Sequence, residues 1–219
     1  MDSLVVVPVE SEQKIGEYVK EMDEFTKSAL VETFNIGASK AADALSEMTG
    51  LTVNITVPEI DIVAIKLVPE RVGEDVKVAV YISLGKGFEG HAFFFLDLED
   101  ALKIFDLMMG MPPGSTKEFD DMVRSAVMEA GNILISAFAN ALSEFLNAEI
   151  EQTPPELAID FTSAILDFAL ADIGQYCDYT VLLRTRITIN DVEFKEHFMI
   201  IPHPSSMKRL VDTLMGGLL

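Results

Sequence analysis

Residues 28–60, SALVETFNIGASKAADALSEMTGLTVNITVPEI, return at 125–157 as SAVMEAGNILISAFANALSEFLNAEIEQTPPEL. Shifted by 97 positions, the two segments align without a gap and share 14 of 33 residues. The identities include Ser28/Ser125, Glu32/Glu129, Asn35/Asn132, Ser39/Ser136 and Pro58/Pro155. A weaker match closes each half: HAFFFLDLEDALKIFDLMMG (91–110) against HFMIIPHPSSMKRLVDTLMG (197–216), now at an offset of 106. The second half therefore holds nine more residues (106 − 97) between its matched segments. A solenoid needs at least ~3 repeats. Two units of about 100 residues instead predict one body with a pseudo-two-fold axis.

Each unit opens with a helix. Asp23 and Asp120 are the expected N-caps and Gly50 and Asn147 the expected stops. Strands are predicted at LTVNITVP and AEIEQTP, then at IDIVAIKLV, VKVAVYISL and EGHAFFFL, before a helix capped by Asp97. In the second half LAIDFTSAILDFALADIG reads as a helix. YTVLLRTRITI and EFKEHFMII read as strands joined by a tight turn, and a last helix starts near Ser205. The expected class is α+β: a two-layer, internally duplicated pseudo-two-fold unit, with an antiparallel-rich sheet flanked by the two long repeated helices. Neither half alone offers many strands, so one continuous sheet is expected. Residues 1–22 form an N-terminal extension; 23–219 form a single domain of two repeats, about 23–112 and 120–219, joined by a loop at 113–119.

Composition narrows the function. Sixteen basic residues against 36 acidic ones give a net charge of −20. That disfavours direct binding to a nucleic-acid backbone or an anionic membrane surface. Hydrophobic residues make up 49% of the chain, enough for a sizeable core, and no continuous apolar run approaches the ~18 residues of a membrane span. The start MDSLVVVPVESEQK has no basic segment, so no secretory signal is expected. The single cysteine, Cys177, cannot form an internal disulfide and suits a reducing cytoplasm.

The repeated helix carries the functional signal. At about 100° per residue, Ser28, Glu32, Asn35, Ser39, Asp43 and Ser46 share one face. Leu30, Phe34, Ala41, Leu45 and Met48 share the other. The second copy repeats Ser125, Glu129, Asn132, Ser136 and Ser143 at the same angles. A merely solvated face accepts any polar residue, whereas here the types are identical, and small neighbours allow close approach by another protein. From Asn35 to Thr49 the helix advances about 21 Å at ~1.5 Å per residue. From Leu51 to Pro58 a strand returns about 23 Å at ~3.3 Å per residue. Pro58 and Pro155 thus fall near the level of the asparagines and are expected to punctuate strand ends.

The pattern Ser-x3-Glu-x2-Asn-x22-Pro, present at 28/32/35/58 and 125/129/132/155, resembles the signature of the CheC/CheX/FliY family of CheY-P phosphatases. The phrases NIGA (35–38) and PPELAIDFTSAIL (154–166) are also similar to that family. Two copies in a chain of this length resemble CheC best, since CheX-like chains carry one copy and FliY-like chains an additional domain. The resemblance implies hydrolysis of the aspartyl phosphate on the response regulator CheY. Asn35 and Asn132 would orient the attacking water, as a Gln does in GTPases. Glu32 and Glu129 would meet a receiver lysine, with Ser28 and Ser125 supporting the contact. The chain would bind no cofactor or metal of its own, the Mg²⁺ belonging to the phosphorylated receiver, and identical motifs would make two active sites. The resemblance implies a second partner, the receptor deamidase CheD, with Asp160 a candidate anchor, and a monomer is expected. The alternative is a non-catalytic adaptor that binds phosphorylated CheY or CheD.

Other motifs carry less. GKGFEG (85–90) spells G-x-G-x-x-G but precedes a strand rather than a helix, so a hairpin turn is expected. His91, His197 and His203 lack metal-ligand spacing and read as structural. The run FFF at 93–95 reads as a strand alternating between two sides.

Overall fold

The computed structural model describes residues 24–176, 178–190, 192–194 and 197–216. The extension 1–22, the expected cap Asp23 and the thiol Cys177 lie outside them. The first half runs α1 (Glu24–Thr49), β1 (Val53–Ala64), a 3-10 turn (Ile65–Leu67), α2 (Val68–Val72), β2 (Val76–Lys86), β3 (Gly90–Leu96) and α3 (Leu98–Met108). The second runs α4 (Asp121–Leu146), β4 (Ile150–Gln152), β5 (Glu156–Phe161), α5 (Thr162–Ile173), β6 (Tyr179–Ile189), β7 (Val192–Phe194), β8 (His197–Pro202) and α6 (Pro204–Gly216).

Both long helices have 26 residues. The carboxylate of Asp120 accepts from the N–H groups of Met122 and Val123, satisfying two of the donors a helix start leaves open. Asn147 closes α4 in the left-handed region at φ 45°, and Gly50 follows α1 at φ 69°. Asp97 stands where a cap is expected before α3 but makes no capping bond. Its carboxylate pairs instead with Lys77, a charge-assisted contact stronger than a cap to a neutral N–H.

The halves are interlocked. β1 pairs antiparallel with β6, while β4 and β5 pair antiparallel with β2. The first strand of each half thus hydrogen-bonds to the second strand of the other. β3 and β8 pair across the middle. Among the described residues the ladders form two sheets, β1-β6-β7 and β4/β5-β2-β3-β8, where the sequence predicts one continuous sheet. β6 runs beside β8, and the N–H of Phe198 donates to Thr185 Oγ1 at 3.2 Å.

Three further expectations are corrected. Residues 157–161 are strand, not helix, because β2 offers them a ladder, so the helix starts only at Thr162. The predicted strand at 60–68 ends at Ala64 and turns helical over 65–72. Met48, placed on the apolar face, is 42% exposed, while Leu30, Phe34, Ala41 and Leu45 are buried as expected. The sheet offset rises from 97 at β1/β4 to 103 (179 − 76) at β2/β6, so six of the nine extra residues lie in or beside α5.

The larger core lies between the sheet and the layer made by α1, α4, α3 and α6, with Phe34, Phe94, Leu134, Phe138, Phe198 and Leu210 in it. α4 is long and apolar enough by composition to cross a bilayer, but here its Val123, Val127, Leu134, Ile135 and Phe138 are buried in that core. A smaller core covers the opposite face, where Phe93, Phe95 and Met199 meet Ile165, Leu166 and Ile173 of α5 and Val68 of α2. The three consecutive phenylalanines are all buried because β3 is covered on both faces. The G-x-G-x-x-G segment is the expected hairpin turn between β2 and β3.

Two close approaches fix the helical layer. A Cβ on Gly131 would lie 2.7 Å from Val80 Cβ, so α4 sits on β2 only because that side chain is missing. A Cβ on Gly37 would lie 3.1 Å from the ring of Phe138, a milder conflict. The loop between the halves is tied by Asp106, which is fully buried and accepts from Ser115 N at 2.8 Å and Thr116 N at 3.0 Å, and from the Thr116 hydroxyl. Burial pushes the Asp106 carboxyl up, but these bonds outweigh it and hold the group below the ordinary carboxylate value.

Gly131→Ala should destabilise the fold by roughly 1–3 kcal/mol through overpacking, with a smaller loss for Gly37→Ala, measured by urea unfolding. Because the Asp106 pKa is depressed in the folded state, its contribution is present above the unfolded value near ~4 and is lost as pH falls through the folded value. Asp106→Asn should therefore lower stability at neutral pH and flatten the loss of stability below about pH 4, read from unfolding midpoints across that range.

Candidate functional site

The residues common to both repeats occupy the outer faces of α1 and α4. Ser28, Glu32, Ser125 and Glu129 are exposed, and Asn35 and Asn132 are half-buried. Glu and Asn three apart stand on one helix face, one turn from each other. The two serines behave alike: Ser28 Oγ donates to Glu24 O at 2.9 Å and Ser125 Oγ donates to Asp121 O at 2.8 Å. Neither Glu32 nor Glu129 has an ion-pair or hydrogen-bond partner among the described residues, so both carboxylates face solvent uncommitted.

Behind each asparagine lies a defect in the sheet. The register of β1 on β6 shifts by one between Thr56 and Glu59, leaving Val57 and Pro58 outside the ladder. In the second copy the register on β2 shifts by one between Gln152, opposite Leu84, and Glu156, opposite Tyr81. Both prolines therefore sit at bulges. In β1 the bulge lies inside a 12-residue strand, not at a strand end as expected, whereas Pro155 lies in the break between β4 and β5. Proline donates nothing to a ladder, which is why it is tolerated there.

The two asparagines differ. Asn35 Oδ1 accepts from Val57 N at 2.8 Å, and its Nδ2 donates to Val57 O and Val31 O, each at 3.0 Å. The side-chain amide thus replaces the strand partner that the bulge took from Val57. Asn132 has no hydrogen-bond partner among the described residues. The residue aligned with Val57 is Pro154, which has no N–H to give. The second strand is tied elsewhere: Ser136 Oγ donates to Gln152 Oε1 at 2.8 Å, and Arg124 Nη1 donates to Leu157 O at 3.1 Å. These ties bracket Asn132 along α4 and leave its carboxamide open.

A concavity of about 450 Å³ lies on the opposite face between β5, β2 and α5, lined by Tyr81, Glu156, Asp160, Ile165 and Phe168 among others. Asp160 is here, on a strand; it is exposed, and its Oδ1 accepts from Phe161 N at 2.7 Å. Exposed Val76, Ile159, Phe161 and Phe168 surround it, Phe161 being 56% exposed. Beneath them runs a chain that the sequence did not reveal. His91 Nδ1 meets Tyr81 Oη at 3.0 Å and its Nε2 meets Asp172 Oδ2 at 3.0 Å. Burial pushes the Tyr81 phenol up. His203 bonds the Ser205 hydroxyl at the start of α6. Among the described residues, no group of three or more His, Cys, Asp or Glu is placed to hold a metal ion.

The fold and site together define a duplicated α+β unit that presents the same Ser/Glu/Asn face twice, once on each long helix. The CheC-like family matches residues 25–62 and 122–159, one match on each helix–strand motif. The CheY-P phosphatase CheC of Bacillus subtilis is 26% identical over 195 residues, 86% of this chain and 93% of its own length. The flagellar motor switch phosphatase FliY of the same organism is 28% identical over 142 residues, 64% of this chain and 37% of its own. The X-ray crystal structure of Thermotoga maritima FliY superposes with a TM-score of 0.73 at 25% identity, covering 90% of this chain and 98% of that one. The chain is thus similar to the CheC-like family over both of its helix–strand motifs.

Because its amide satisfies both backbone groups of Val57, replacing Asn35 by Ala should cost about 1–3 kcal/mol of stability. Asn132→Ala should cost little, and paired urea titrations of the two variants measure the difference.

Proposed function

We propose that this chain is a phosphatase for the aspartyl phosphate of a CheY-type response regulator. One observation supports this above the others: Asn132 presents an unpartnered carboxamide on the exposed face of α4, one turn from an uncommitted Glu129. The names of two relatives, CheY-P phosphatase CheC and flagellar motor switch phosphatase FliY, supply the substrate class.

The chemistry asks little of the enzyme. An acyl phosphate is already activated, so no protein nucleophile is needed. Mg²⁺ held by the receiver neutralises charge on the phosphoryl group. The asparagine amide accepts from and donates to a water, holding it opposite the aspartyl leaving oxygen. Water adds to phosphorus, the P–O bond to the aspartate breaks, and inorganic phosphate and a free carboxylate leave. Positioning of this kind supplies most of the gain in phosphoryl transfer. Glu129, and Glu32 in the first copy, dock a receiver lysine by a charge-assisted contact. Ser28 and Ser125, with hydroxyl protons committed to their own helices, shape the contact surface. Pro58 and Pro155 place the strand against it.

The face around Asp160 favours a second partner. Its exposed apolar residues and open concavity suit a protein surface, and we assign CheD to it. If that role stood alone, the chain would be an adaptor. Catalysis and adaptor binding separate experimentally. The chain acts as a monomer in the cytoplasm, with both motif faces open.

The purified chain should accelerate phosphate loss from an Mg²⁺-loaded, phosphorylated CheY-type receiver. The folded Asn35→Ala/Asn132→Ala variant should fall to the receiver's own rate at saturating enzyme. Binding by wild type without acceleration would leave only the adaptor. Asp160→Arg should weaken CheD binding in a pull-down and leave phosphate release unchanged.

A further inference from the structure

We propose that the two motifs are unequal: Asn132 performs the turnover, Asn35 is latched in a structural role, and the residue at position 57 or 154 decides which. This rests on the phosphatase function proposed above. The motif letters are identical, so the difference must come from what surrounds them. At the first motif the bulge leaves the N–H and C=O of Val57 without ladder partners, and such groups take a partner wherever one is in reach. Asn35 is that partner at both atoms, and a third bond runs to Val31 O. The backbone donor fixes the amide's orientation as well, because an N–H meets only the oxygen end. To orient a water for a receiver, Asn35 must abandon those bonds and strand both groups of Val57.

At the second motif nothing has to be abandoned. Pro154 cannot donate, so a latch of the first kind cannot form. The strand is held instead by Ser136 on Gln152 and Arg124 on Leu157. The first copy has no counterpart for these ties: Ile55 aligns with Gln152 and cannot accept from Ser39, and Lys27, aligned with Arg124, pairs with Glu24 at 2.6 Å. Around the bulge the strand is therefore held by the motif asparagine in the first copy and by other side chains in the second. Val57 and Pro154 are positioning residues acting through their asparagines.

The test measures phosphate release from an Mg²⁺-loaded, phosphorylated CheY-type receiver at saturating receiver. The variants are Asn35→Ala, Asn132→Ala, and Val57→Pro in the Asn132→Ala background. Each is checked for cooperative unfolding above the assay temperature. Asn132→Ala should lose roughly tenfold or more in maximal rate, as misplacement of a reacting water does, and Asn35→Ala less than about twofold. Val57→Pro should then restore at least about threefold to Asn132→Ala by freeing Asn35, a gain that no structural defect produces. Equal losses from the two single variants, or a larger loss from Asn35→Ala in a folded protein, overturn the inequality. A folded Val57→Pro/Asn132→Ala variant that gains nothing overturns the control assigned to position 57; should it not fold, the single variants decide. A wild-type rate no faster than the receiver alone instead overturns the phosphatase function itself, whatever the variants do.

Discussion

The fold depends on one exchange: each half gives its first strand to the other half's second strand. β1 runs along β6 and β5 along β2, so neither half has a sheet without its counterpart. The long helices follow from this. α1 and α4 each lead by a short turn into an exchanged strand, and they pack on each other above the sheet, with Gly37 against Phe138 and Gly131 against Val80. A close-packed interior transmits such constraints because it holds no slack. The bulge in each exchanged strand lies at the level of the motif asparagine, which places a sheet defect directly behind each candidate site.

That defect links stability to chemistry. A bulge removes ladder partners from the backbone, and the freed groups must be satisfied from elsewhere. In the first copy the nearest amide is Asn35, and it is taken. In the second copy proline removes the demand for an acceptor at its source, and Ser136 and Arg124 hold the strand on either side. The polar residues of these helices therefore do two kinds of work that look alike in sequence, one closing hydrogen bonds and the other leaving them open.

Much of this was legible beforehand. The gapless match of 28–60 with 125–157 fixed the duplication, and the cap residues Asp120 and Asn147 bounded α4 correctly. The return of the strand to the level of Asn35 followed from rise per residue alone. What was hidden is non-local. LAIDF reads as helix because a short apolar run has no decisive period, and only the edge of β2 makes it a strand. Asp97 met Lys77 rather than its own helix. The Tyr81–His91–Asp172 chain joins residues from two strands and a helix that no spacing rule connects. The tie of Asp106 to the inter-repeat loop depends on burial, which the sequence does not display.

The least legible feature is the difference between the two asparagines, and its source was in plain view. Val57 and Pro154 align within a segment whose identities draw the eye to Ser, Glu, Asn and the following Pro. A substitution one residue before that proline removes a single N–H, and with it the reason for Asn132 to point inward. An amide left open and half-buried forgoes hydrogen bonds that its twin makes, so it is a small local loss of stability. Departures of this kind from full satisfaction are expected where a protein acts rather than where it merely holds together. Duplication makes the arrangement possible: with two copies locked into one sheet, one motif can serve the fold while the other serves the partner.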